Sequence, residues 1–140
     1  MRPDDQRPHV LVTHHLVDGG LDLLADRYRV TVADDLEDPA ELMAALEDVD
    51  ALIPLLTVQI TDEVLAAAPR LKVVANHAVG YDNVDVEAAT RRGIIVTNTP
   101  GVLTEDTADM AWAALLAVVR EVVPGDAMMR AGAYTGWSPT

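Results

Sequence analysis

Five short apolar runs, each separated from the next by a segment of helical spacing, limit this chain to an alternating β/α architecture. Residues 9–16 (HVLVTHHL), 29–33, 51–56 (ALIPLL), 71–76 and 94–98 (IIVTN) are rich in β-branched and aliphatic side chains and are bounded by turn residues. The intervening segments 21–28, 39–47, 61–68 and 85–92 carry helical periodicity. Pro39 suits a helix's first turn, Thr61 is a natural cap, and Gly93 a natural stop. Pro54 cannot donate a ladder hydrogen bond, so it is expected at an exposed strand end or on a sheet edge.

Strands joined by helices run parallel, because each crossover returns the chain to the same end of the sheet. The expected fold class is therefore α/β: a five-stranded parallel flavodoxin-like sheet, order 2-1-3-4-5, with helices on both faces and a long helix after it. That long helix is unusual. Thr104 is expected to cap it, Glu105, Asp106 and Asp109 suit its positive end, and residues 108–119 (ADMAWAALLAVV) are apolar nearly all round. A helix without a polar face requires cover on every side, more than one small sheet supplies. Pro124-Gly125 is expected to break or kink it, with a second short helix to about residue 130.

Composition narrows the function classes. The 140 residues hold 10 Lys and Arg against 23 Asp and Glu, a net charge of −13. Such a surface argues against nucleic acid and anionic membranes as partners, and it repels an anionic substrate unless a local group reverses the field. Cysteine is absent, which removes disulfides and thiolate metal sites and fits a cytoplasmic location. The polar N-terminus is not a signal peptide, and no apolar run is long enough to span a bilayer. No metal site is expected. His14 and His15, adjacent on a strand, would face opposite ways, and Asp82, Asn83, Asp85 and Glu87 lack calcium-loop spacing, so capping is their expected role.

The segment from Asn76 to Val122 is the most informative. Val79-Gly80 follows the end of a strand, where open α/β sheets bind ligands, and successive N–H groups there can hold a carboxylate. A tight turn into a capped helix is the alternative local reading. The blocks NHAVGYDNVD, AATRRGIIVTNTP and TEDTAD, in this order, resemble the D-isomer-specific 2-hydroxyacid dehydrogenases, most nearly the glyoxylate/hydroxypyruvate reductases. That resemblance implies an NAD- or NADP-dependent oxidoreductase that reduces a small 2-oxo acid to the D-2-hydroxy acid. It implies that Leu56, Val79 and Gly80 bind substrate and that Thr107 approaches the cofactor. Trp137 would sit on a loop reaching the partner of a homodimer, or else anchor that loop on its own lobe.

By the same resemblance, residues 1–100 form the substrate-binding (catalytic) domain, 101–131 the interdomain helix region, and 132–140 the start of the dimer-loop and cofactor-domain linker. No G-x-G-x-x-G turn is present, so the cofactor domain is expected to be absent from this chain. No catalytic residue is assigned within it: the family's Arg, acidic and His groups map beyond residue 140, and the chain alone is expected to be inactive and to bind no nicotinamide strongly. The alternative is a standalone binding module of the same fold without catalysis. A phosphoacceptor role, suggested by Asp34-Asp35, fails because His14, His15 and Leu16 replace the acidic residues needed after the first strand, and the only Lys is Lys72.

Overall fold

The computed structural model describes residues 6–16, 19–34 and 36–137. The expected turn at Val17-Asp18 and the Asp35 half of the acidic pair lie outside the described residues, as do positions 1–5 and 138–140. Two compact units, Met1–Pro100 and Gly101–Thr140, divide the chain. In the first, β1 (His9–Val12), α1 (Asp22–Ala25), β2 (Arg29–Val32), α2 (Pro39–Ala45), β3 (Ala51–Ile53), α3 (Asp62–Ala66), β4 (Val73–Ala75), α4 (Val86–Arg91) and β5 (Ile95–Thr97) follow one another. All five strands pair in parallel in the order β2-β1-β3-β4-β5, the order read from the sequence.

The register explains the core. Leu11 lies beside Leu52, Leu52 beside Val74, and Val74 beside Val96, which makes one apolar row across four strands. Against that row pack Leu42 and Leu46 of the α2 segment, Val64 and Leu65 of α3, and Ala88 and Ala89 of α4, all essentially inaccessible to water. Burying each such Leu or Val contributes roughly 1.5–3 kcal/mol. On the opposite face burial declines toward β5. Val10 and Val12 are buried, Ile53 and Val73 half-buried, and Ile95 exposed. Two caps expected from sequence form, Thr61 accepting from Val64 and Asp85 from Ala88, and the structure adds a third, Asp38 accepting from the N–H groups of Ala40 and Glu41 ahead of Pro39.

Several boundaries differ from expectation. β1 ends at Val12 rather than residue 16, and β3 at Ile53 rather than 56, because the apolar residues beyond them belong to loops at the sheet's carboxyl rim. Pro54 is therefore not on an edge: it ends the central strand, buried, and its carbonyl accepts the His77 N–H. His14 and His15 follow β1 instead of lying on it. α1 is a single turn, with no buried residue to extend it.

The second unit contains α5 (Thr104–Val119) and α6 (Val122–Arg130). Thr104 is the first helical residue, not the cap; Leu103 holds that position without a side-chain bond. The break falls at Arg120–Glu121, one turn before Pro124-Gly125, with Glu121 left-handed at φ 52°. Proline's ring collides with the carbonyl four residues earlier, here that of Arg120. Pro124 therefore ends α5 upstream while sitting harmlessly in α6's first turn, where no N–H is needed. Met110, Trp112, Leu115, Leu116, Val118 and Val119 are all more than half exposed and point around the whole circumference of α5. Among the described residues no helix is long and apolar enough to cross a membrane.

Candidate functional site

The carboxyl ends of β1, β3, β4 and β5 carry a rim of loops tied together by polar side chains. Thr13, buried at the end of β1, receives the Leu55 N–H on its hydroxyl at 3.1 Å and fixes the loop that leads to Leu56. Asn76, ending β4, is buried against Asn83, and the two carboxamides bond reciprocally at 3.0 and 3.1 Å. The second Asn76 N–H reaches the Gly80 carbonyl at 2.9 Å, and the second Asn83 N–H the Val58 carbonyl at 3.0 Å. This couple closes the loop of residues 76–83 on itself and lashes it to the loop after β3. Asn83 is therefore not a cap, as expected from its neighbours; Asp85 alone fills that role here.

Within that loop the three carbonyls of Ala78, Val79 and Gly80 all turn inward, accepting from the Thr99 N–H at 2.9 Å, the Asn98 side chain at 2.8 Å and Asn76. The N–H groups of Val79 and Gly80 donate to no described residue. Val79 and Tyr81 are exposed, and Leu56, on the adjoining loop, is 57 % exposed. Gly80 does not have positive φ, and an added Cβ would meet only Asp82 Oδ2 at 3.5 Å, an ordinary contact. Neither conformation nor neighbours among the described residues require glycine there. The rim loops, residues 13–16, 54–60, 76–84 and 97–100, include no Lys or Arg.

Two histidines meet on this rim. His14 Nε2 lies 2.6 Å from His77 Nδ1. Burial, then the neighbouring His77, hold His14 below the ordinary imidazole range, while Asp34 works in the opposite sense. Sequence reading missed this pair and the Asn76–Asn83 couple. Their only signal was a polar residue ending each apolar run.

Leu56, Val79 and Gly80 thus come together on one rim. Thr107 and Trp137 belong to the second unit, where Thr107 is exposed in the first turn of α5, its N–H bonded to the Leu103 carbonyl at 3.0 Å. Trp137 is 83 % exposed in an irregular segment. No group of three or more His, Asp or Glu side chains converges among the described residues.

The model of the D-isomer specific 2-hydroxyacid dehydrogenase catalytic domain matches residues 10–135. A glyoxylate reductase of Thermococcus kodakarensis is 48% identical over 139 residues, covering 95% of this chain and 42% of that protein. Another from Aeropyrum pernix is 48% identical over 140 residues, again covering 42% of its length. The chain thus spans about two fifths of the curated relatives it matches. Among solved structures, the TT0316 protein of Thermus thermophilus superposes with a TM-score of 0.82 at 49% identity, covering 94% of this chain and 43% of that one. An NADPH-dependent glyoxylate/hydroxypyruvate reductase of Sinorhizobium meliloti, in complex with NADP and malonate, gives a TM-score of 0.74 at 36% identity, covering 90% and 39%.

Proposed function

We propose that this chain, which belongs to the D-isomer specific 2-hydroxyacid dehydrogenase family, is the substrate-recognition lobe of a reductase acting on glyoxylate or hydroxypyruvate. The observation that carries the reading is the pair of N–H groups at Val79 and Gly80 that find no acceptor among the described residues, presented while the loop's carbonyls face inward. Two successive amide donors suit a carboxylate, and they supply attraction without a formal charge on a chain of net charge −13. Glycine at position 80 leaves room for the ligand to approach the backbone closely. Leu56 would pack beside the ligand's carbon skeleton. The malonate in the Sinorhizobium meliloti complex is likewise a carboxylate.

A reduced nicotinamide would supply hydride to the C2 carbonyl. The residues of this chain do not form a cradle for it, because the sequence contains no G-x-G-x-x-G. The tasks left to these residues are to grip and orient the carboxylate and to present the carbonyl for attack. Thr107 is assigned to the nicotinamide edge, residues 101–131 to packing between lobes, and Trp137 to the partner in a homodimer. Residues 1–100 are the substrate lobe, 132–140 begin the connection onward, and the enzyme is placed in the cytoplasm.

The test is a titration of the ¹⁵N-labelled chain with sodium glyoxylate, using uncharged glycolaldehyde as control. Glyoxylate should shift the Val79 and Gly80 amide resonances and glycolaldehyde should not. Equal shifts with both, or none with glyoxylate, would refute the carboxylate site.

A further inference from the structure

The order β2-β1-β3-β4-β5 reverses direction between β1 and β3, the switch point at which open α/β sheets form a crevice. His14 comes from the end of β1 and His77 from the end of β4, so their contact passes over the end of β3. The ring centroids are 4.9 Å apart and the planes 21° from parallel. That separation is the 2.6 Å contact plus one ring radius at each end, so the imidazoles lie end to end and share one hydrogen.

We propose that His77 is a third hydrogen-bond donor for the carboxylate held at Val79 and Gly80, with His14 as the positioning residue that fixes its tautomer. The inference rests on the carboxylate-site reading above. His14 Nδ1 is buried and has no hydrogen-bond partner among the described residues. A buried orphan N–H is the rarer and costlier state, which leaves this nitrogen bare. Because burial, then His77, depress the protonation of His14 against the pull of Asp34, the ring is neutral at pH 7 and carries its one hydrogen on Nε2. His77 Nδ1 must then accept, and His77 keeps its own hydrogen on Nε2, at the outer end of the ring. His77 is exposed, and that Nε2 bonds to no described residue. It stands two residues before Val79 on a rim without Lys or Arg, so it offers an anion there a side-chain donor beside the backbone amides.

Two-bond ¹H–¹⁵N correlation spectra of the full chain at pH 7.5 read both tautomers directly. Both rings should carry hydrogen on Nε2, and sodium glyoxylate should shift His77 Nε2 together with the Val79 and Gly80 amides. His77→Ala should weaken glyoxylate about tenfold, as expected for one hydrogen bond to a charged group. His77→Gln, which keeps a donor at a similar reach, should recover most of that loss. His14→Phe should release His77 into a mixture of tautomers and weaken binding several-fold. Hydrogen on His14 Nδ1 in the unaltered chain would overturn the inference without any variant needing to fold. Glyoxylate shifts at Val79 and Gly80 alone, or unchanged affinity in His77→Ala, would overturn it and leave the carboxylate site standing. Silence at all three positions would overturn both.

Discussion

Asn76 and Asn83 exchange hydrogen bonds in both directions, Nδ2 to Oδ1 at 3.0 and 3.1 Å, and each carboxamide uses its remaining N–H on a backbone carbonyl. A buried couple in which every amide hydrogen is matched is costly to break from one side, because the surviving partner is left unsatisfied. Replacing Asn83 with Ala should therefore lower stability by about 1–3 kcal/mol. Chemical denaturation checks this, and the Val79 and Gly80 amide resonances should broaden or move in the same variant. An unchanged midpoint would mean that the couple does not tie the two loops together.

Acid should weaken the fold at the opposite end of the sheet. Burial works to raise the Asp50 carboxyl, but the His9 N–H at 3.0 Å, Arg70 at 2.9 Å and Lys72 at 3.4 Å more than offset it and hold the group below the usual carboxylate range. A folded-state pKa below the unfolded one stabilises the protein above the unfolded value of about 3.9. That contribution is lost as pH falls through the folded value. Arg70 and Lys72 are largely exposed and screened, so most of the effect comes from the buried N–H contact. Asp50→Asn should cost about 1–3 kcal/mol near neutrality and flatten the acid limb of a stability–pH curve. A curve parallel to the parent's would exclude Asp50 as its source.

Replacing Pro124 with Ala should join α5 and α6. The variant frees the Arg120 carbonyl from the ring and restores an N–H that can bond to it, so Glu121 need not remain left-handed. Far-ultraviolet circular dichroism should show a gain of helix. No gain would mean that something other than Pro124 sets the break.

The exposed circumference of α5 should make the isolated chain self-associate. Light scattering should show mass rising with concentration, and Leu115→Lys with Val118→Lys, at positions 52% and 77% exposed, should return it to a monomer. A concentration-independent monomer of the unaltered chain would count against this.

Purified chain supplied with NADPH and glyoxylate should show no turnover, because its sequence offers no dinucleotide cradle. Robust oxidation of NADPH, free of host dehydrogenases, would contradict the reading that these residues alone are catalytically incomplete.

The alternation of strands and helices, the caps at Thr61 and Asp85, and the turn at Val79-Gly80 were legible because each is written in a contiguous stretch of sequence, whereas strand order came from the general rule for parallel crossovers. Strand ends were not. The apolar run through Pro54 and Leu55 reads as continuous strand, yet its residues pack into rim loops. The position of the helix break was also misread, since a proline acts on the carbonyl one turn before it. His14 and His77 are 63 residues apart. Their meeting depends on β1 and β4 flanking β3, which no local pattern records. Asn83 was read through its neighbour Asp85, whereas its partner lies seven residues back, at the end of β4.

The strand order also bears on how the chain is made. β1 leaves the ribosome first but ends as an interior strand, and its second neighbour, β3, is not complete until residue 53. Until then the nascent chain offers an open edge whose next strand is not yet available. Each later strand extends the same side, from β3 to β4 to β5, so the sticky border migrates outward with synthesis. Substitutions that slow the docking of β3 beside β1 would hold that border open longer and lower yield without altering the finished fold.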